Sequence, residues 1–116
     1  MTMDDRWLIE MRKGFLRFII LRIIGESPAH GYEIIKRIST LTRGRWEPSP
    51  GSIYPILSLL ESRGYITSCV DGKRKVYTLT ERGKSLLSRV NAHIQQMHEE
   101  MLLLFGDVLS EEATER

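Results

Sequence analysis

Lys73, Arg74 and Lys75 follow one another directly after Asp71-Gly72, and upstream of them Ser49-Pro50-Gly51-Ser52 opens an apolar repeat. Three adjacent cations on a tight turn are suited to neutralising a polyanion such as a phosphate backbone. A helix capped by Ser49 and begun by Pro50 aims free backbone amides and the positive end of its dipole at whatever precedes it, and the small Gly51 and Ser52 permit close approach. Catalysis has no comparable foothold. The chain presents no Ser/His/Asp or Cys/His set, no phosphate-cradling glycine loop and no carboxylate pair of catalytic character, so an enzyme is not expected. His93 and His98 are five apart, not at the i, i+4 step that turns two imidazoles toward one metal, and no Cys or acidic cluster completes a ligand set. No metal and no cofactor are expected.

The elements that must position these residues follow from periodicity. Between Asp4 and Gly25, Leu8, Met11, Phe15, Leu16, Ile19, Ile20, Ile23 and Ile24 recur at helical steps, which predicts a helix with one broad apolar stripe, ended by Gly25. Ser27-Pro28 predicts the start of a second helix, carried by Tyr32, Ile34, Ile35, Ile38 and Leu41 and fading at Thr42-Arg43-Gly44. The third helix starts at Ser49-Pro50, turns Ile53, Ile56, Leu57 and Leu60 inward and Ser52, Pro55, Ser58 and Ser62 outward, and stops at Gly64. Pro55 lies near enough to the start to be tolerated. Trp46 is expected to anchor the segment before this helix, and Tyr32 to be a core aromatic near His30.

Tyr65 to Val70 and Lys73 to Leu79 read as strands, with Asp71-Gly72 suited to a type I′ turn. That turn opposes Ile66 to Tyr77 and Val70 to Lys73, puts Ile66, Tyr77 and Leu79 on the inner face, and crowds Lys73, Arg74 and Lys75 at the tip. The single Cys69 excludes an internal disulfide and is expected to be a small core filler in a reducing compartment.

After Thr80, an N-cap with Glu81 in the first turn, Leu87, Val90, Ile94, Met97, Met101, Leu104 and Val108 alternate steps of three and four in an unbroken seam. A helix of about 28 residues extends roughly 42 Å, longer than a domain of this size is wide. The seam could pack on the first helix of its own chain. The preferred reading adds a second chain, with Leu8, Met11, Phe15 and Ile19 joining the seam in an interchain bundle, which makes a homodimer. Trp7 is read as a packed interface residue or, alternatively, as the lining of a cavity for a small aromatic effector. Gly106 and the acidic residues from Glu111 to Glu115 predict fraying at the end. The expected organisation is a DNA-binding winged helix-turn-helix over residues 1–80, a dimerisation helix over 81–109 and a flexible acidic tail over 110–116.

Composition bounds these readings. The 116 residues carry 17 Lys+Arg against 15 Asp+Glu, a net +2 that says little by itself. Distribution says more: residues 26–83 hold nine cations against six acids, and residues 84–116 hold three against six. The run from Phe15 to Ile24 is interrupted by Arg17 and Arg22 and is too short to span a bilayer. The acidic start, Met-Thr-Met-Asp-Asp-Arg, is unlike a signal peptide, so a cytoplasmic protein without membrane association is expected.

The order α-α-α-β-β-α is that of a mainly α winged helix-turn-helix (α+β) with an N-terminal helix and a long C-terminal dimerisation helix. Double-stranded DNA is the expected partner, with Arg43 and Arg45 near the backbone, Pro50, Gly51, Ser52, Pro55 and Ser58 at the reading surface, and Lys73, Arg74 and Lys75 as the wing. Tyr54 either packs its ring or donates its hydroxyl to a phosphate. None of the outward residues of the reading helix is an Arg, Lys, Asn or Gln, so shape and phosphate contacts should outweigh direct base readout. A winged-helix module that binds protein through its long helix is the alternative.

His30-Gly31-Tyr32-Glu33-Ile34, Ser49-Pro50-Gly51-Ser52-Ile53-Tyr54-Pro55 with Leu57, Leu60 and Glu61, Gly64-Tyr65-Ile66, and Arg74 through Gly83 together resemble the PadR family of transcriptional regulators. The resemblance spans roughly residues 15–90. It implies a dimeric repressor whose two reading helices enter successive major grooves of a pseudo-palindromic operator, with Ser52 and Tyr54 at the DNA surface and the Lys73–Lys75 hairpin as wing. It is closest in plan to the short subgroup with one C-terminal helix, which leaves no counterpart for the larger C-terminal domain of longer members.

Overall fold

A computed structural model describes the backbone of residues 3–114 and the side chains of Arg6 and of residues 8–110. Trp7, read above as an interface or ligand residue, has a side chain outside the described residues. The elements are α1 (Met3–Glu26), β1 (Ala29–His30), α2 (Gly31–Leu41), α3 (Pro50–Ser62), β2 (Ile66–Asp71), β3 (Arg74–Leu79) and α4 (Glu81–Thr114). The three strands form one antiparallel sheet in the order β1-β3-β2. This is the mainly helical winged-helix plan expected from the periodicities.

One core unites the body. Leu16, Ile20, Ile23 and Ile24 of α1 meet Ile34, Ile35 and Ile38 of α2, Ile53, Leu57 and Leu60 of α3, and Ile66, Tyr77 and Leu79 of the hairpin. The broad stripe of α1 therefore serves two surfaces: its C-terminal half is buried in this core, while Leu8, Met11 and Phe15 stay exposed.

Several boundaries differ from expectation. Gly25 does not end α1, which continues to Glu26. Its missing side chain is used for packing instead, since a Cβ there would come 2.6 Å from the Leu87 side chain. α2 begins at Gly31 rather than at Ser27-Pro28, because Ala29 and His30 are drawn out to pair with Tyr77 and Val76 of β3. His30 is the N-cap. Its backbone N–H donates to Glu33 Oε1 at 3.0 Å, the carboxylate half of a capping box, and its ring Nδ1 contacts the same carboxylate.

The hairpin is also offset. Asp71 pairs with Arg74, Val70 with Lys75 and Ile66 with Leu79, so Gly72-Lys73 is the turn and the expected Ile66–Tyr77 and Val70–Lys73 pairs do not form. Gly72 has φ +66° while Lys73 has no positive φ, a pattern that suits glycine at the first central position and excludes the type I′ turn. A two-residue change of register preserves facing, so Ile66, Tyr77 and Leu79 remain buried. Cys69 is exposed rather than a core filler. Tyr32 is 54% exposed, its ring under Lys36 Nζ, so it is a surface residue and not a core aromatic.

α4 is docked by its first turn. Thr80 Oγ1 donates to the Gly64 carbonyl at 2.6 Å and accepts from the Gly83 N–H at 3.1 Å, and Thr80 N–H donates to the Tyr65 carbonyl. The helix then departs from the body, with a non-helical Phe105 beside Gly106, and helical backbone resumes through Thr114. The segment read as an acidic tail thus begins inside α4.

Candidate nucleic-acid interface

α3 is held by its apolar face and leaves the other free. Ile53 and Leu57 are fully buried, whereas Pro50, Gly51, Tyr54, Pro55 and Ser58 are exposed and Ser52 is half-buried. Ser49 caps the helix as its sequence predicts: its Oγ accepts the Ser52 N–H at 3.2 Å. Pro55 sits inside α3 and removes the amide that would bond the Gly51 carbonyl, yet the helix continues through it.

Tyr54 lies over Gly31 at the start of α2. A Cβ on Gly31 would come within 2.7 Å of the Tyr54 ring, so only glycine lets α2 and α3 approach this closely. The ring packs there while nearly half of the residue stays exposed beside the outer face of α3. Gly31 is a packing position that was not among the residues assigned to the interface from sequence; the His-Gly-Tyr motif was its signal.

The segment before α3 is a tight reversal. Arg43 has φ +56° and Gly44 φ +77°, Gly44 N–H donates to the Ser39 carbonyl at 2.7 Å, and Thr42 Oγ1 accepts the Trp46 N–H at 3.1 Å. Trp46 packs against the core, which anchors this loop as expected. Arg43 and Arg45 are exposed on it and line a polar cleft of about 370 Å³ with Arg12.

Lys73, Arg74 and Lys75 are all exposed at the hairpin tip. The wing is tied back at two points: Ser68 Oγ donates to Glu61 Oε2 of α3 at 2.6 Å, and His30 Nε2 lies 3.3 Å from Asp71 Oδ2. The hairpin is thereby tied to α3 through Glu61 and to the start of α2 through His30, and the arginine loop precedes α3 in the chain.

The residues assigned to a chain-to-chain seam divide into three sets. Ile19 and Leu87 are half-buried against the chain's own core. Met11, Phe15, Val90, Ile94 and Met97 line one apolar groove of about 590 Å³ between α1 and α4. Met101, Leu104 and Val108 are exposed farther out on α4, and Leu8 is exposed on α1.

The model of the Transcriptional regulator PadR-like family matches residues 20–89. The chain belongs to the PadR-like family of transcriptional regulators. The transcriptional regulator YqjI of Escherichia coli is 40% identical over 87 residues, covering 74% of this chain and 42% of the relative, so the chain spans less than half of that protein's length. The transcriptional regulator Rv3488 of Mycobacterium tuberculosis is 30% identical over 97 residues, covering 80% of this chain and 88% of the relative. Among solved structures, a PadR family transcriptional regulator from Eggerthella lenta superposes with a TM-score of 0.69 at 29% identity, covering 90% of this chain and 93% of that one. Among the described residues no helix is long and apolar enough to cross a membrane.

Proposed function

We propose that this chain is a homodimeric, sequence-specific DNA-binding regulator that represses transcription by occupying a pseudo-palindromic operator. The observation that carries the reading is the exposed face of α3, Ser49-capped, in a chain that also exposes Arg43 and Arg45 on the loop before that helix and Lys73, Arg74 and Lys75 at the hairpin tip. Pro50, Gly51, Ser52, Pro55 and Ser58 offer little hydrogen-bonding reach, so α3 contributes shape and close backbone approach while the cations bind phosphate. Tyr54 lays the hydroxyl end of its ring against Gly31, so its part in the reading is to set the approach of α2 to α3.

Dimerisation supplies the second reading helix. The exposed apolar side chains of α4 and the start of α1 favour a second copy as their cover, since one chain leaves Leu103 86% and Leu104 74% exposed. Two-fold pairing across this seam matches a two-fold operator. The groove of about 590 Å³ is of a size that takes a small aromatic effector, which would then act at the seam.

Genomic fragments retained by the purified protein should share an inverted repeat, and affinity for them should fall steeply with salt. Lys73→Ala, Arg74→Ala and Lys75→Ala together should weaken binding to every sequence and flatten the log–log salt slope by about 2 to 3. Salt-independent retention, or no enriched repeat, would remove the reading.

A further inference from the structure

The first helix carries a set of cations that the reading above does not use. The Arg12 guanidinium lies 4.6 Å from the centre of the Trp46 ring, which orients it beside Arg43 and Arg45 at their shared cleft. Lys13 and Arg17 are four residues apart, hence on one face of α1, and they line a second groove of about 400 Å³ with Gly51 and Ser52 in the first turn of α3. Glu10 is the acid that also lines this groove.

Arg12, Lys13, Arg17, Arg43 and Arg45 make no ion pair among the described residues. Lys13 and Arg17 lie beside the first turn of α3, where the positive end of the helix dipole adds to their field, and Arg12, Arg43 and Arg45 repel one another at their own cleft. An extended anion running past the start of α3 relieves that repulsion, and its negative charges must be spaced along a chain to reach both grooves.

We infer that Arg12, Lys13 and Arg17 make α1 a third clamp on duplex DNA, gripping the phosphate backbone of the strand that borders the groove entered by α3. The inference rests on the DNA-binding reading and adds a helix to it. It also ties two surfaces to one rod. Met11 and Phe15 line the apolar groove against α4, while Lys13 and Arg17 line the groove at α3. In a dimer built on the apolar groove, the spacing of the two clamps is therefore set by the seam itself.

The test compares the wild-type chain with Arg12→Ala, Lys13→Ala and Arg17→Ala combined, on a mixed-sequence duplex across a sodium chloride series. Each lost phosphate contact lowers the log–log slope by about 0.9, so the combined variant should be shallower by about 2 to 3. All three residues are exposed, so sedimentation should report the same assembly for both proteins. An unchanged slope, with the Lys73–Lys75 variant still flattened, overturns the clamp and leaves the DNA-binding reading in place. A wild-type chain that binds no duplex overturns both. A measurement on the wild-type chain needs no variant to fold: the duplex should protect Lys13 severalfold from acetylation, read by mass spectrometry, and equal modification with and without DNA overturns the clamp.

Discussion

The winged-helix body and the long α4 rod use the same apolar residue types in opposite ways. In the body, Leu16, Ile20, Ile23, Ile34, Ile38, Ile53, Leu57 and Ile66 are fully buried against one another. Along the rod beyond the body, Ile94, Met97, Met101, Leu102, Leu103, Leu104, Phe105, Val108 and Leu109 all remain exposed. Helical periodicity is present in both, so the pattern alone does not reveal which stripes close within the chain. Length decides it: the body folds three helices and a hairpin around one centre, while α4 contributes to the chain's 49 Å long axis and outruns anything that could cover it. Stability of the first region should be a property of one chain, and stability of the second a property of concentration.

The most damaging way to break that contrast is Met97→Glu. Met97 lines the α1–α4 groove, and in a dimer closed there the substitution buries a carboxylate without a partner, a cost of about 3–5 kcal/mol for each such charge. Sedimentation should find a monomer, duplex binding should be lost, and the melting temperature should cease to depend on protein concentration. A dimer that persists would show that the rod is covered elsewhere.

The joint between the regions sharpens the same contrast from the other side. At Gly83, in the first turn of α4, an added Cβ would fall 2.0 Å from the Tyr65 carbonyl oxygen, so the helix can dock on the hairpin only with glycine there. Gly83→Ala should destabilise the chain by about 1–3 kcal/mol through overpacking, measured by urea unfolding. The loss should be the same at low and high protein concentration, because the strain lies within one chain. A loss that grows on dilution would place this joint in the seam instead.

Much of the body was legible in the sequence because its signals are local. Ser49-Pro50 marks the start of α3, the Thr80 cap marks the start of α4, and the inward set of Ile53, Leu57 and Leu60 is spaced by the helical period itself. What escaped depends on contacts between distant parts of the chain. β1 is a two-residue strand created only by pairing with β3, so Ser27-Pro28 resembled a helix start. The hairpin slipped because Gly72 can be the second central residue of one tight turn or the first of another, and only the pairing of Asp71 with Arg74 selects between them. Gly25 resembled a helix stop, but Leu87 and Leu79, far along the chain, need the space it leaves. At the candidate interface, Arg43, Arg45 and the wing cations stood out by adjacency. Arg12, Lys13 and Arg17 did not, because their helix reads first as an apolar stripe; the four-residue step from Lys13 to Arg17 was the available clue.

The smallest effect lies where the helix-turn-helix and wing are tied together. Glu33 closes the α2 cap, and its pKa is lowered chiefly by the hydrogen bond from the His30 backbone N–H, with the His30 side chain next. His30 in turn reaches Asp71 near the wing tip. A carboxyl depressed below its ordinary value of 4.5 holds fewer protons in the folded state than in the unfolded one. Its contribution to stability is therefore complete above that value and disappears as pH falls through the lower folded one. Glu33→Gln keeps an oxygen acceptor but removes the charge. The variant should melt about 2 °C below the wild type at neutral pH, a modest gap because the carboxylate is well solvated. As pH drops below 4.5 the wild type should lose this advantage and the two melting curves should converge. A gap of equal size in acid would mean that the shape of the cap, rather than its charge, holds this end of α2. The body would then owe its internal closure at this joint to packing alone, as it does throughout the core.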